Sequence, residues 1–125
     1  MTLKKPVPLD RKISWYGASD TAGYCVDGNP SMGPIDEGLL GWKYDNCDTA
    51  SPGVLGRALE AEISVQAIAG IGLLQNSFAA HKIVMGDLTM AEYYKRTLLQ
   101  DPTLYDFSWA PDLVLISLGG NDFNH

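Results

Sequence analysis

A chain of 125 residues is the length of one ordinary domain, and 46% hydrophobic with 19% charged residues is the composition of a folded chain rather than a disordered one. The net charge of −6 argues against a nucleic-acid partner, because neutralising phosphates takes clustered Lys and Arg. The small basic cluster of Lys4-Lys5 with Arg11-Lys12 reads as a solvated arm, and no apolar stretch approaches the roughly 20 residues of a membrane span.

Residues 1–10 carry Pro6, Pro8 and the lysine pair and read as a linker into a domain of residues 11–125. The opening MTLKKPVPLDRK has no apolar core of a signal peptide. Arg11 to Tyr16 is expected as the first strand, with Ile13, Trp15 and Tyr16 as its bulky residues. It runs into a loop of small residues, Gly17-Ala18-Ser19-Asp20-Thr21-Ala22-Gly23. A serine at such a turn is where α/β hydrolases hold a nucleophile, although Thr21 stands where a G-x-S-x-G elbow has its last glycine. The plainer reading is a strand-to-helix turn capped by Ser19 or Asp20.

Tyr24 to Ser51 is loop-like, with six Gly or Pro residues and both cysteines, Cys25 and Cys47. A loop of that length is expected to be functional or pinned. Trp42, Tyr44, Asp36 and Asp45 are candidates to line a sugar site, or to anchor the loop. A Cys25–Cys47 disulfide would close a loop of about 20 residues, worth roughly 3 kcal/mol. Two thiols in a reducing compartment are the alternative. The cysteine spacing fits no metal site.

Ser51-Pro52 starts a helix, Ser as N-cap and Pro at the first helical position, with Val54, Leu55, Ala58, Leu59 and Ile63 on its apolar face. Ser64 to Ala69 is expected as a second strand ending in Gly70-Ile71-Gly72, where glycines let backbone N–H groups face a ligand. Thr89 and Glu92 form a capping-box pattern, with Leu88 and Tyr93 as a hydrophobic staple. The residues that follow, AEYYKRTLLQ, are expected to be helical up to Asp101-Pro102.

Leu113-Val114-Leu115-Ile116 is a continuous apolar run, expected as a parallel strand buried on both faces. It breaks at Gly119-Gly120 and presents Asn121 and Asp122. In an open α/β sheet, ligands sit just beyond the carboxyl ends of the strands. Three strands ending in Ser19, Gly70 and Asn121 therefore bring a hydroxyl, a backbone N–H and an amide to one edge. Those are the parts needed to attack an ester and hold its oxyanion.

These blocks resemble those of the SGNH (GDSL-like) hydrolases, and most closely carbohydrate esterase family 2. Gly17-Ala18-Ser19-Asp20-Thr21-Ala22-Gly23-Tyr24 resembles the first block, usually Gly-Asp-Ser-Ile-Thr-Cys-Gly-Tyr. Ile68-Ala69-Gly70-Ile71-Gly72-Leu73 resembles the second, and Leu118-Gly119-Gly120-Asn121-Asp122-Phe123 the third. The resemblance implies a three-layer α/β/α, flavodoxin-like fold with a parallel sheet. It implies a serine esterase that removes acetyl groups from carbohydrate, with no metal or organic cofactor. Ser19 would be the nucleophile. The N–H groups of Ser19 and Gly70 and the Asn121 amide would form the oxyanion hole. Ala18 stands where the family has Asp, and Asp20 follows the serine instead. The family's catalytic His lies in a later Asp-x-x-His block, and neither His81 nor His125 matches it. The chain is thus expected to be a partial hydrolase domain, incomplete at its C-terminus, and inactive without that base. The rival expectations are a non-catalytic carbohydrate-binding relative and a lipase- or thioesterase-like hydrolase of the same superfamily.

Overall fold

The computed structural model describes residues 7–28, 44–77 and 86–124. Three strands form a parallel sheet in the order β2-β1-β5: β1 (Arg11–Gly17), β2 (Ala61–Ala67) and β5 (Leu113–Ser117). The pairing is in register, with Gly17 opposite both Ala67 and Ser117. All three carboxyl ends therefore lie level on one edge.

Period-two alternation sorts the side chains of this sheet onto two faces. Ile13, Trp15 and Gly17 share a face with Ile63 and Leu115, and on it pack α1 (Ser19–Ala22) and α2 (Ser51–Leu59). Gly56 of α2 lies so close to β2 that a Cβ there would meet the Ile63 side chain at 3.0 Å. On the same face the Trp15 indole N–H donates to the Ser117 hydroxyl at 3.0 Å.

The other face carries Ser14, Tyr16, Ser64 and Gln66. It is covered by a short helix, α3 (Met90–Tyr93), and a hairpin of β3 (Arg96–Leu98) and β4 (Asp101–Leu104). Tyr16 meets Tyr94 edge to face at 6.4 Å, Ser64 and Tyr105 share a hydrogen bond of 3.2 Å, and the Gln66 amide donates to the Arg96 carbonyl. Helices and hairpin on opposite sides of a parallel sheet make the three-layer α/β arrangement expected from the sequence.

Four elements depart from expectation. The helix expected to reach Ile63 ends at Leu59, because Glu60 turns left-handed (φ 50°) and its N–H caps the carbonyls of Arg57 and Gly56. The second strand accordingly starts at Ala61 rather than Ser64, where pairing with Arg11 begins. At the other end of the helix, Ala50 is the N-cap and Ser51 the first helical residue.

The helix expected over residues 91–100 stops after Tyr93. Strand pairing of Arg96 with Leu104, the bond from Gln66 and the Thr97 hydroxyl bond to the Leu104 carbonyl outweigh local helix preference. Pro102 is tolerated in β4 because the two-stranded ladder has open edges. Leu88 packs against the buried cluster that contains Tyr93, but the Thr89 side chain makes no cap bond.

Strand β5 pairs as expected but is not buried on both faces. It is a sheet edge among the described residues, and Val114 and Ile116 are 48% and 68% exposed. No disulfide joins Cys25 and Cys47; burial pushes the Cys47 thiol up in pKa. No described helix is long and apolar enough to cross a membrane, and no described group of three or more His, Cys, Asp or Glu is arranged to hold a metal.

Candidate active site

The residues just past the three strands, Ala18, Ile68 and Leu118, all pack on one buried cluster of Ile71, Met90 and Tyr93. Ile71 is fully buried. Burying such a side chain stabilises by about 1.5–3 kcal/mol, so the loops above the strand ends share one apolar footing.

The first loop is a tight strand-to-helix turn. A Cβ at Gly17 would lie 1.9 Å from the Thr21 hydroxyl oxygen, so only glycine lets α1 fold straight back onto the sheet. Thr21 is 2% exposed in that space. Ser19 is the first residue of α1, at the sheet edge, and the helix closes one turn later at the left-handed Gly23. The capping reading of this serine is not realised: Ala18 is the N-cap, and no side chain caps the helix. No described residue hydrogen-bonds the Ser19 hydroxyl.

The second loop runs from Gly70 to Ser77. Gly70 has φ 83°, a left-handed conformation that glycine adopts without strain. Its carbonyl accepts the Ser77 N–H at 2.9 Å and closes the loop. Inside, Asn76 accepts from the Gly72 N–H and donates to the carbonyls of Gly86 and Leu88.

The third loop grips the second. Asn121 and Asp122 lie on one 3-10 turn, Asn121–Phe123. The Asn121 amide donates to the Ile71 carbonyl at 2.8 Å. The Asp122 carboxylate accepts from three successive backbone N–H groups, Leu73 at 2.9 Å, Leu74 at 2.6 Å and Gln75 at 3.1 Å. Burial alone would raise the Asp122 pKa, but these bonds outweigh it and hold the carboxyl below its usual range. Asp122 was legible as a turn residue within the third block and Asn76 was not singled out, since one carboxylate bonding three amides 47 to 49 positions away leaves no local sequence mark.

Ser19, Gly70 and Asn121 thus stand at one sheet edge, and the loops of Gly70 and Asn121 are directly bonded. Two hollows lie near this edge. A cleft of about 560 Å³ is lined by Ala22, Asp45, Ile68, Leu98, Leu99 and Asp101, among others. A second, of about 400 Å³, lies between α1 and α2 and includes Ser19. The first is lined by none of the three candidate residues, and the second by Ser19 alone. Asp45 lines the larger cleft while accepting the Cys25 N–H. Trp42, Asp36, His81 and His125 lie outside the described residues.

The chain matches no family model. It is 36% identical over 123 residues to a cellulase/esterase CelE of Acetivibrio thermocellus, covering 98% of this chain and 14% of that protein. It is 32% identical over 124 residues to an acetylxylan esterase/glucomannan deacetylase of Cellvibrio japonicus, covering 96% of this chain and 32% of that one. Among solved structures it matches a family two carbohydrate esterase from Clostridium thermocellum in complex with cellohexaose. The TM-score is 0.79 at 32% identity, over 97% of this chain and 34% of that chain. The chain therefore spans about a third or less of the proteins it matches.

Proposed function

We propose that this chain, a relative of the family two carbohydrate esterases, carries the nucleophile and oxyanion part of an esterase that removes acetyl groups from carbohydrate. The observation that supports this most is the level, parallel alignment of three strand ends carrying Ser19, Gly70 and Asn121, with the Asn121 loop bonded to the Gly70 loop. Residues 1–10 serve as a connector and residues 11–125 as part of the hydrolase domain.

In this reading the Ser19 Oγ attacks the acetyl carbonyl carbon and its proton passes to a general base. The carbonyl oxygen becomes an oxyanion, held by the N–H groups of Ser19 and Gly70 and the second N–H of the Asn121 amide. The tetrahedral adduct collapses, the C–O bond to the sugar breaks, and the sugar oxygen leaves with the proton. Water then attacks acetyl-Ser19 and releases acetate. Neither histidine of the chain is among the described residues, and this reading takes its base from outside them. The cleft beside Asp45 and Asp101, with its apolar wall of Leu98 and Leu99, is the seat for the sugar.

The test is acetate release from acetylated xylan and glucomannan by the intact protein. Ser19→Ala should lower kcat by about ten-thousand-fold or more. Unchanged turnover in that variant overturns the reading. A second reading, carbohydrate binding without turnover, is favoured by Ala18 standing where the first block usually has Asp. It requires that the intact protein bind cellohexaose and release no acetate.

A further inference from the structure

The carboxylate of Asp122 faces the loop that follows β2, and that loop is shaped around it. Three consecutive N–H groups, those of Leu73, Leu74 and Gln75, converge on it. Successive N–H groups curled round one anionic oxygen pair form a nest, a strong fit for a carboxylate. Gly72 clears the space: a Cβ there would lie 2.9 Å from Asp122 Oδ2 and 1.7 Å from the Gln75 carbonyl oxygen. Residue 121 holds the same loop at a second point, through the Ile71 carbonyl. Two adjacent residues on one turn thus hold a single loop at two places, both within five positions of Gly70.

We propose that Asp122 is a positioning residue of the oxyanion pocket. Its carboxylate locks the loop after β2, so that the Gly70 N–H and the Asn121 amide keep a fixed separation. Asp122 does not touch the reacting atoms; it acts through the loop. This rests on the esterase reading above for its consequence, but not for its geometry. Asparagine at 122 keeps the shape while losing the charge, and its amide nitrogen would meet an N–H donor in the nest.

Two measurements on the intact protein decide it. The first is steady-state kinetics of Asp122→Asn on an aryl acetate. Because catalytic donors tolerate little displacement, kcat should fall by about ten- to a hundred-fold while KM changes by less than about threefold. Combined with Asn121→Ala, the losses should be clearly less than multiplicative, since both act on one set of donors. An unchanged kcat, a loss confined to KM, or fully multiplicative losses overturn the proposal. The second is amide hydrogen exchange, which needs neither turnover nor the variant. In the wild-type protein the Leu73, Leu74 and Gln75 amides should be protected, and Asp122→Asn should speed their exchange at least about tenfold. Fast exchange of those three amides in the wild type overturns the clamp even if Asp122→Asn fails to fold. A wild-type protein that shows protection but no esterase activity removes the esterase reading and leaves the clamp standing.

Discussion

Asn121 and Ile71 are 50 positions apart in the chain, and the side-chain amide of one donates to the backbone carbonyl of the other at 2.8 Å. That bond uses one of two amide N–H groups and orients the second. Asn121→Ala in the intact protein should lower kcat by about a hundred- to a thousand-fold, or about 2.7–4 kcal/mol, the usual effect of losing one oxyanion donor. KM for the same aryl acetate should change far less. A loss under about tenfold would remove Asn121 from that role.

Gly17 allows the turn that carries Ser19. A Cβ at this position would lie 1.9 Å from the Thr21 Oγ1 and 2.3 Å from its Cβ, and the buried Thr21 has no room to yield. Gly17→Ala should therefore destabilise by about 1–3 kcal/mol, as overpacking does. Gly120→Ala is the control, with φ −61° and nothing within 4 Å, so it should leave the melting temperature nearly unchanged. Thermal melts of the two variants side by side check this, and equal melting temperatures would contradict it.

Folding lowers the Asp122 pKa below its ordinary 3.8, so the ionised carboxylate is the form that stabilises the fold. That contribution is fully present above the ordinary value and is lost as pH falls through the lower folded value. Asp101 and Asp106 are lowered as well, by bonds from Thr103 and Ser108, so the wild-type slope alone does not isolate Asp122. The difference between wild type and Asp122→Asn does. Wild type should be the more stable at neutral pH, and the gap should narrow on acidification to about pH 2.5. Melts across that range are the measurement, and a constant gap would exclude the linkage.

Asp101 lines the larger cleft, and its Oδ1 already accepts from the Thr103 N–H and hydroxyl. Asp101→Asn keeps that acceptor and removes the charge. If the cleft seats the sugar, KM for an acetylated oligosaccharide should rise about tenfold, the scale of one charge-assisted hydrogen bond, with KM for an aryl acetate unchanged. Equal effects on both substrates would place the sugar elsewhere.

Much of this architecture was legible in the residues themselves. Strands β1 and β5 and the helix at Ser51-Pro52 follow from apolar runs, turn residues and a proline in the first helical turn, which act over a few positions. The common edge for Ser19, Gly70 and Asn121 follows in turn, because level parallel strands leave their successors little choice of side. Tertiary structure alone decided where α2 ends, that residues 96–104 form a hairpin, and that β5 is a sheet edge among the described residues. Each depends on partners far along the chain: Arg11 pairs with Ala61, and Gln66 bonds Arg96. The hold of Asp122 on Leu73, Leu74 and Gln75 is of the same kind. Backbone N–H groups are identical in every residue but proline, so a carboxylate that binds them leaves no pattern in the sequence until folding brings the loops together.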